Sequence, residues 1–208
     1  VDRPPKIDFA ALGRPAFGRH AQHAEPTPHK GKSQAAARRM RMLREARDVL
    51  DALPSPGEAT HTVVSGRFDM CLLLVAVLDL LPAPCRHLRV ATLSFAKRNC
   101  TELLGLLETK KVARLTLLCS SFFVAHNREL YEWFAGELRG FPGSRVAHAR
   151  SHCKVFIIDA GDEHSLTIES SANLRQNSNR EQATLFNDAA LARWHARWVD
   201  ELVRHDDE

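Results

Sequence analysis

Beyond Gly57 the chain alternates short apolar runs of period two with longer stretches of helical period. Residues 60–65 predict a strand, and 68–81 a helix that is apolar nearly all round and therefore buried. A strand at 88–95, a helix at 97–108, a strand at 112–119 and a helix at 124–138 follow, the last ended by Gly140 and Pro142. Strands at 145–149, 153–158 and 165–169 form a further group. The polar turn Ala160-Gly161-Asp162-Glu163 joins the latter two as an antiparallel hairpin. A strand at 183–186 leads to a helix capped by Asn187 or Asp188, with Leu191, Trp194, Trp198 and Leu202 as its apolar stripe. This order predicts an α/β domain, a mixed central β-sheet with helices on both faces.

The segment before Gly57 reads differently. Met40, Leu43, Ala46, Leu50 and Leu53 recur at helical spacing, and Pro54 stops the run. Around them lie Lys30, Lys32, Arg38, Arg39, Arg41, Arg44 and Arg47, against Glu45 and Asp48. That imbalance suits a surface that follows phosphates, with Arg38 and Arg41 as candidate substrate-binding residues. Residues 1–32 hold half of the ten prolines and the scattered His20, His23 and His29, a composition that predicts a flexible arm. The organisation expected is a Pro-rich basic arm (1–32), a basic helix (33–56) and a catalytic domain (57–208).

At 208 residues there is room for one sizeable core. A hydrophobic share of 44% and a charged share of 26% describe an ordinary globular protein. The longest apolar run, 70–78, is too short to span a bilayer, and no secretory signal is visible in the first thirty residues. Five cysteines without a C-x-x-C pair fit a reducing compartment, so a cytoplasmic location without membrane insertion is expected. The net charge of +4 permits a polyanionic partner.

The chemistry concentrates in His152-Cys153-Lys154 and the apolar run that ends at Asp159. Alternation along a strand would put His152 and Lys154 on one face. An imidazole beside an ammonium suits attack on a phosphodiester, because the ring supplies a nucleophile and the cation offsets charge repulsion. Downstream come Ser170-Ser171-Ala172-Asn173 and Asn179-Arg180-Glu181-Gln182. Asp159 has the opposite parity from His152 and Lys154, which assigns it to holding the hairpin or helix packing. Arg67, after Ser65-Gly66 at a strand-to-helix junction, is placed at the mouth of the site.

Taken in order, His152, Lys154, Asp159, Ser171, Asn173 and Glu181 resemble the HKD signature of the phospholipase D superfamily. The resemblance covers about the last third of the chain. It implies that His152 attacks phosphorus to form a phosphohistidine, which water later cleaves. Lys154 and Asn173 would donate to the non-bridging oxygens, with the Ser171 hydroxyl beside them. Glu181 is the candidate to orient the imidazole. Two departures stand out: Ser170 replaces the family's usual Gly, and ten residues rather than six separate it from Asp159.

A zinc set drawn from His148, His152, Cys153 and His164 fits no paired-ligand spacing, so chemistry without metal or cofactor is expected. The family reaction uses two histidines, and this chain has one H-x-K motif; His87-Leu88-Arg89 is the nearest imitation. A homodimer that joins two His152 side chains at a two-fold axis is therefore expected. The reading is a metal-independent phosphodiesterase, a nuclease acting on DNA or RNA. Its alternatives are a phospholipid hydrolase or phosphatidyltransferase, and an inactive nucleic-acid-binding module of the same fold.

Overall fold

A computed structural model describes residues 34–64, 69–161, 163–175 and 179–205. Arg67 and the arm at 1–32 lie outside the described residues. The elements run α1 (Gln34–Asp48), β1 (Ala59–Val64), α2 (Met70–Leu80), β2 (His87–Thr92), α3 (Lys97–Glu108), β3 (Leu115–Ser120) and α4 (Ser121–His126). Then follow α5 (Arg128–Leu138), β4 (Arg145–Ala149), β5 (Val155–Asp159), β6 (Ser165–Ser170), β7 (Glu181–Asn187) and α6 (Ala189–His205).

The strands form one seven-stranded sheet in the order β1-β7-β6-β5-β2-β3-β4. Neighbours β2, β3 and β4 are parallel, and every other pairing is antiparallel. The predicted mixed sheet is therefore present, and helices cover both faces. Period-two alternation divides each strand between them. Leu88, Val90, Leu117, Phe156 and Ile158 join the larger core, together with Leu43 and Ala46 of α1, the wholly buried face of α2, and residues of α3 and α5. Ala91, Leu118, Ala147, Val155 and Ile157 face the other way, against Ala192, Val199 and Val203 of α6. The basic helix α1 thus shares the main core; Arg39 forks onto Glu102 (2.5 and 2.6 Å), and Arg47 reaches Asp79.

The structure corrects the sequence reading in three places. The helix expected at 124–138 is two helices, α4 and α5, separated at Asn127. The Asn127 side chain donates to Phe123 O at 3.1 Å and its backbone leaves the helical region, the local competition that makes Asn a helix breaker. The α6 stripe is also rotated. Ala192, His195, Val199 and Val203 face the sheet, whereas Trp194 is 54% exposed. The short Ala and Val side chains let the helix approach the sheet closely, and the tryptophans are left on its flank. Finally, β5 begins at Val155, so His152 and Lys154 precede the strand and alternation does not govern them.

Candidate active site

The carboxyl ends of β2, β3 and β4 share one edge of the sheet with the start of β5, the end of β6 and the start of β7. Residues 150–154 connect β4 to β5 along that edge. Here Lys154 Nζ donates to His152 Nδ1 at 2.9 Å and to His152 O at 2.7 Å. The pair that alternation would have aligned on a strand is thus joined by a direct bond. Partial burial lowers the Lys154 pKa, while the charges of Cys153 and Glu181 act the other way.

Hairpin register decides whether the second motif reaches this pair. Ala160 N donates to His164 O and His164 N to Gly161 O, closing a five-residue turn in which Gly161 has φ +113°. Asp159 stands at this tip, remote from His152. It accepts from Arg86 Nη2 at 2.8 Å and from Gly161 N at 3.4 Å. With Val155 opposite Glu169 and Ser170 N donating to Lys154 O, the returning strand delivers Ser170 and Ser171 beside Lys154. The longer tip therefore keeps the register.

Ser171 is locked to β7. Its N donates to Gln182 O, its Oγ accepts from Gln182 N at 3.0 Å, and the same hydroxyl donates to Glu181 Oε2. Ser170, where the family has Gly, uses its hydroxyl to bond Gln182 O and to accept from Ala172 N, so it tightens the turn. Asn173 follows on a segment pinned by Leu174 N to Thr92 Oγ1 at 3.0 Å and by Cys71 N to Leu174 O. Asn173 Oδ1 is buried and has no hydrogen-bond partner among the described residues. A buried unpaired amide oxygen is costly, so this side chain is held against a preference for hydrogen bonding.

His152, Lys154 and Ser171 line an open depression of about 510 Å³, together with two residues that sequence reasoning missed, Glu169 and His195. His195 Nε2 lies 2.8 Å from Glu169 Oε1, and Trp198 Nε1 donates to His195 Nδ1 at 3.0 Å. Indole is only a donor. Nδ1 therefore accepts, and Nε2 carries the hydrogen that Glu169 receives. The buried ring is fully engaged and holds the carboxylate at the rim. The available signal was Glu169 directly before the Ser-Ser pair, and a histidine interrupting an apolar helix stripe.

Arg38 and Arg41 lie exposed on α1, and Arg38 borders a different cavity, with Asp69 and Arg98 at the starts of α2 and α3. His148, one of the four zinc candidates, packs its ring edge-on to Tyr131 and has Nδ1 3.3 Å from Ser121 Oγ. Among the described residues no helix is long and apolar enough to cross a membrane.

The fold is similar to those of solved structures that include a phospholipase D family member. NucT from Helicobacter pylori superimposes with a TM-score of 0.51 and 15% identity, covering 71% of this chain and 97% of that one. The phospholipase D family member Nuc from Salmonella typhimurium gives 0.50 and 17%, covering 70% and 94%. A polyphosphate kinase from Porphyromonas gingivalis gives 0.50 and 12% over 70% of this chain, which spans only 26% of the kinase. No protein-family model and no curated protein matches the sequence. At these identities the likeness shows the fold alone.

Proposed function

We propose that the chain is a metal-independent phosphodiesterase, a nuclease that cleaves nucleic acid through a phosphohistidine at His152 in a homodimer. The observation that carries this reading is the Lys154 ammonium bound to His152 Nδ1 on an open rim beside Ser171. A diester phosphate entering the depression offers Lys154 an anionic acceptor in place of the neutral ring. The ammonium moves to a non-bridging oxygen, where negative charge grows in the transition state. Nδ1 is then free to carry the ring hydrogen toward Glu181, and the Nε2 lone pair attacks phosphorus. The Asn173 amide adds a donor to the same oxygens, while the Ser171 hydroxyl holds Glu181. His152 of the second subunit, protonated, gives its proton to the leaving oxygen, and water then cleaves the N–P bond.

The substrate class rests on the exposed Arg38, Arg41 and Arg44 of α1, which favour a polyanion. The test is turnover by the purified chain on DNA, RNA and phosphatidylcholine in EDTA. Cleavage of nucleic acid that is lost in His152→Ala supports the reading. Lipid turnover without nucleic-acid cleavage overturns the substrate, and wild-type rates in His152→Ala overturn the site.

A further inference from the structure

On the α6 face of the sheet, at the end remote from His152, lies a cavity of about 840 Å³. The separation follows from β2 itself, which carries His87 at this end and Ala91 opposite Val155 at the other, roughly 13 Å away at about 3.3 Å per residue. Arg89, Thr116 and Arg145 form one row across the three parallel strands, in register and pointing toward α6. The opposite wall is a single α6 stripe at helical spacing, Arg197, Asp200, Glu201 and Arg204. Arg114 completes a set of five guanidinium groups facing two carboxylates.

One of those carboxylates is already satisfied. Arg89, mostly buried, forks onto Asp200 with two bonds of 2.8 Å. Burial alone would raise the Asp200 pKa, but the Arg89 hydrogen bonds and charge bring it below the ordinary value. Arg114 is aimed by His87: its Nη2 donates to His87 Nδ1 at 2.7 Å, and His87 Nε2 therefore carries the hydrogen given to Thr116 Oγ1 at 2.9 Å. Burial first, then the charges of Arg89 and Arg114, takes the His87 pKa to about 3. The ring thus stays neutral and adds an acceptor without adding charge. Gly143 has φ +75°, and a Cβ there would stand 3.0 Å from Arg114 Cδ, so the glycine leaves room for this side chain at the rim.

Five guanidinium groups against two carboxylates leave this recess an excess of positive charge that a bound anion would offset. Their planar forks match phosphate oxygens, and the volume falls in the range of small-molecule sites. We propose that this cavity is a second anion site, separate from the diester site, for a small compound carrying two or more linked phosphates, such as a nucleoside diphosphate. The His87-Leu88-Arg89 imitation of the catalytic motif therefore serves binding at the opposite end of the sheet.

The test is calorimetric titration of the full chain with pyrophosphate, ADP and a twelve-nucleotide oligomer. Pyrophosphate and ADP should bind once per chain. The Arg197→Gln, Arg204→Gln double variant, changed only at exposed positions, should weaken both at least tenfold. Glu201→Gln should tighten both several-fold, a gain that misfolding does not produce. His152→Ala and Lys154→Ala should bind them as wild type does. Affinities unmoved by the double variant and by Glu201→Gln overturn the proposal, as does loss of binding in the His152 or Lys154 variants. An effect of the double variant on the oligomer alone assigns the cavity to nucleic acid and likewise overturns it.

Discussion

A lysine ammonium has only donors, so its bond to His152 Nδ1 puts the neutral ring's hydrogen on Nε2. That is the wrong tautomer for attack from Nε2, so the proposed mechanism requires substrate to draw Lys154 away before the ring acts. Lys154→Ala should therefore cost turnover on a nitrophenyl phosphodiester about 10³-fold, through lost charge stabilisation. A loss below tenfold would mean the ammonium does not touch the reacting phosphate. His87 makes a separate claim about stability. Its pKa in the folded chain is about 3, below the ordinary 6.5. Between those values the unfolded chain holds a proton that the folded chain refuses, so stability falls as pH falls through this window. From pH 7 to pH 5 the contribution is about 2 kcal/mol. Urea unfolding at the two pH values should show wild type losing that much more than His87→Gln; equal losses would contradict the buried neutral ring.

Among the elements, α6 separates what patterning could and could not reveal. Apolar residues at helical spacing predicted the helix, yet two stripes compete on it, and the bulkier one holds both tryptophans. Packing chose the smaller side chains, because Ala192, Val199 and Val203 fit against Ala91, Ala147 and Val155. Val199→Ala should thus cost about 2 kcal/mol in urea unfolding, while Trp194→Ala should change it by less than about 0.5 kcal/mol. The reverse ranking would restore the stripe read from sequence. Other elements were legible for plain reasons. The helix at 97–108 and the strand at 145–149 have the limits that their periodicity gave. The order of His152, Lys154, Ser171, Asn173 and Glu181 was legible because local motifs need only sequence, and of these His152, Lys154 and Ser171 line one depression. Asn127, Glu169 and His195 left only weak signals because their effects depend on bonds to particular backbone or side-chain partners, one of them 26 residues distant.

For the whole molecule, the parallel trio β2-β3-β4 gives the sheet two unlike ends. Its carboxyl edge carries the His-Lys pair, and its amino edge carries the arginine cavity. One H-x-K motif per chain and an exposed His152 favour completion of the site by a second copy. Specific activity should then rise with chain concentration and level off where sedimentation shows the dimer filled; activity per chain independent of concentration, in a sample that sediments as monomer, would contradict it. The most direct measurement is an alkaline quench during turnover of a nucleic-acid substrate, followed by mass spectrometry of the peptide containing His152. The account predicts one phosphoramidate on His152 for every two chains, and none in His152→Ala. Modification of both chains, an adduct on another residue, or turnover with no adduct at His152 would contradict it.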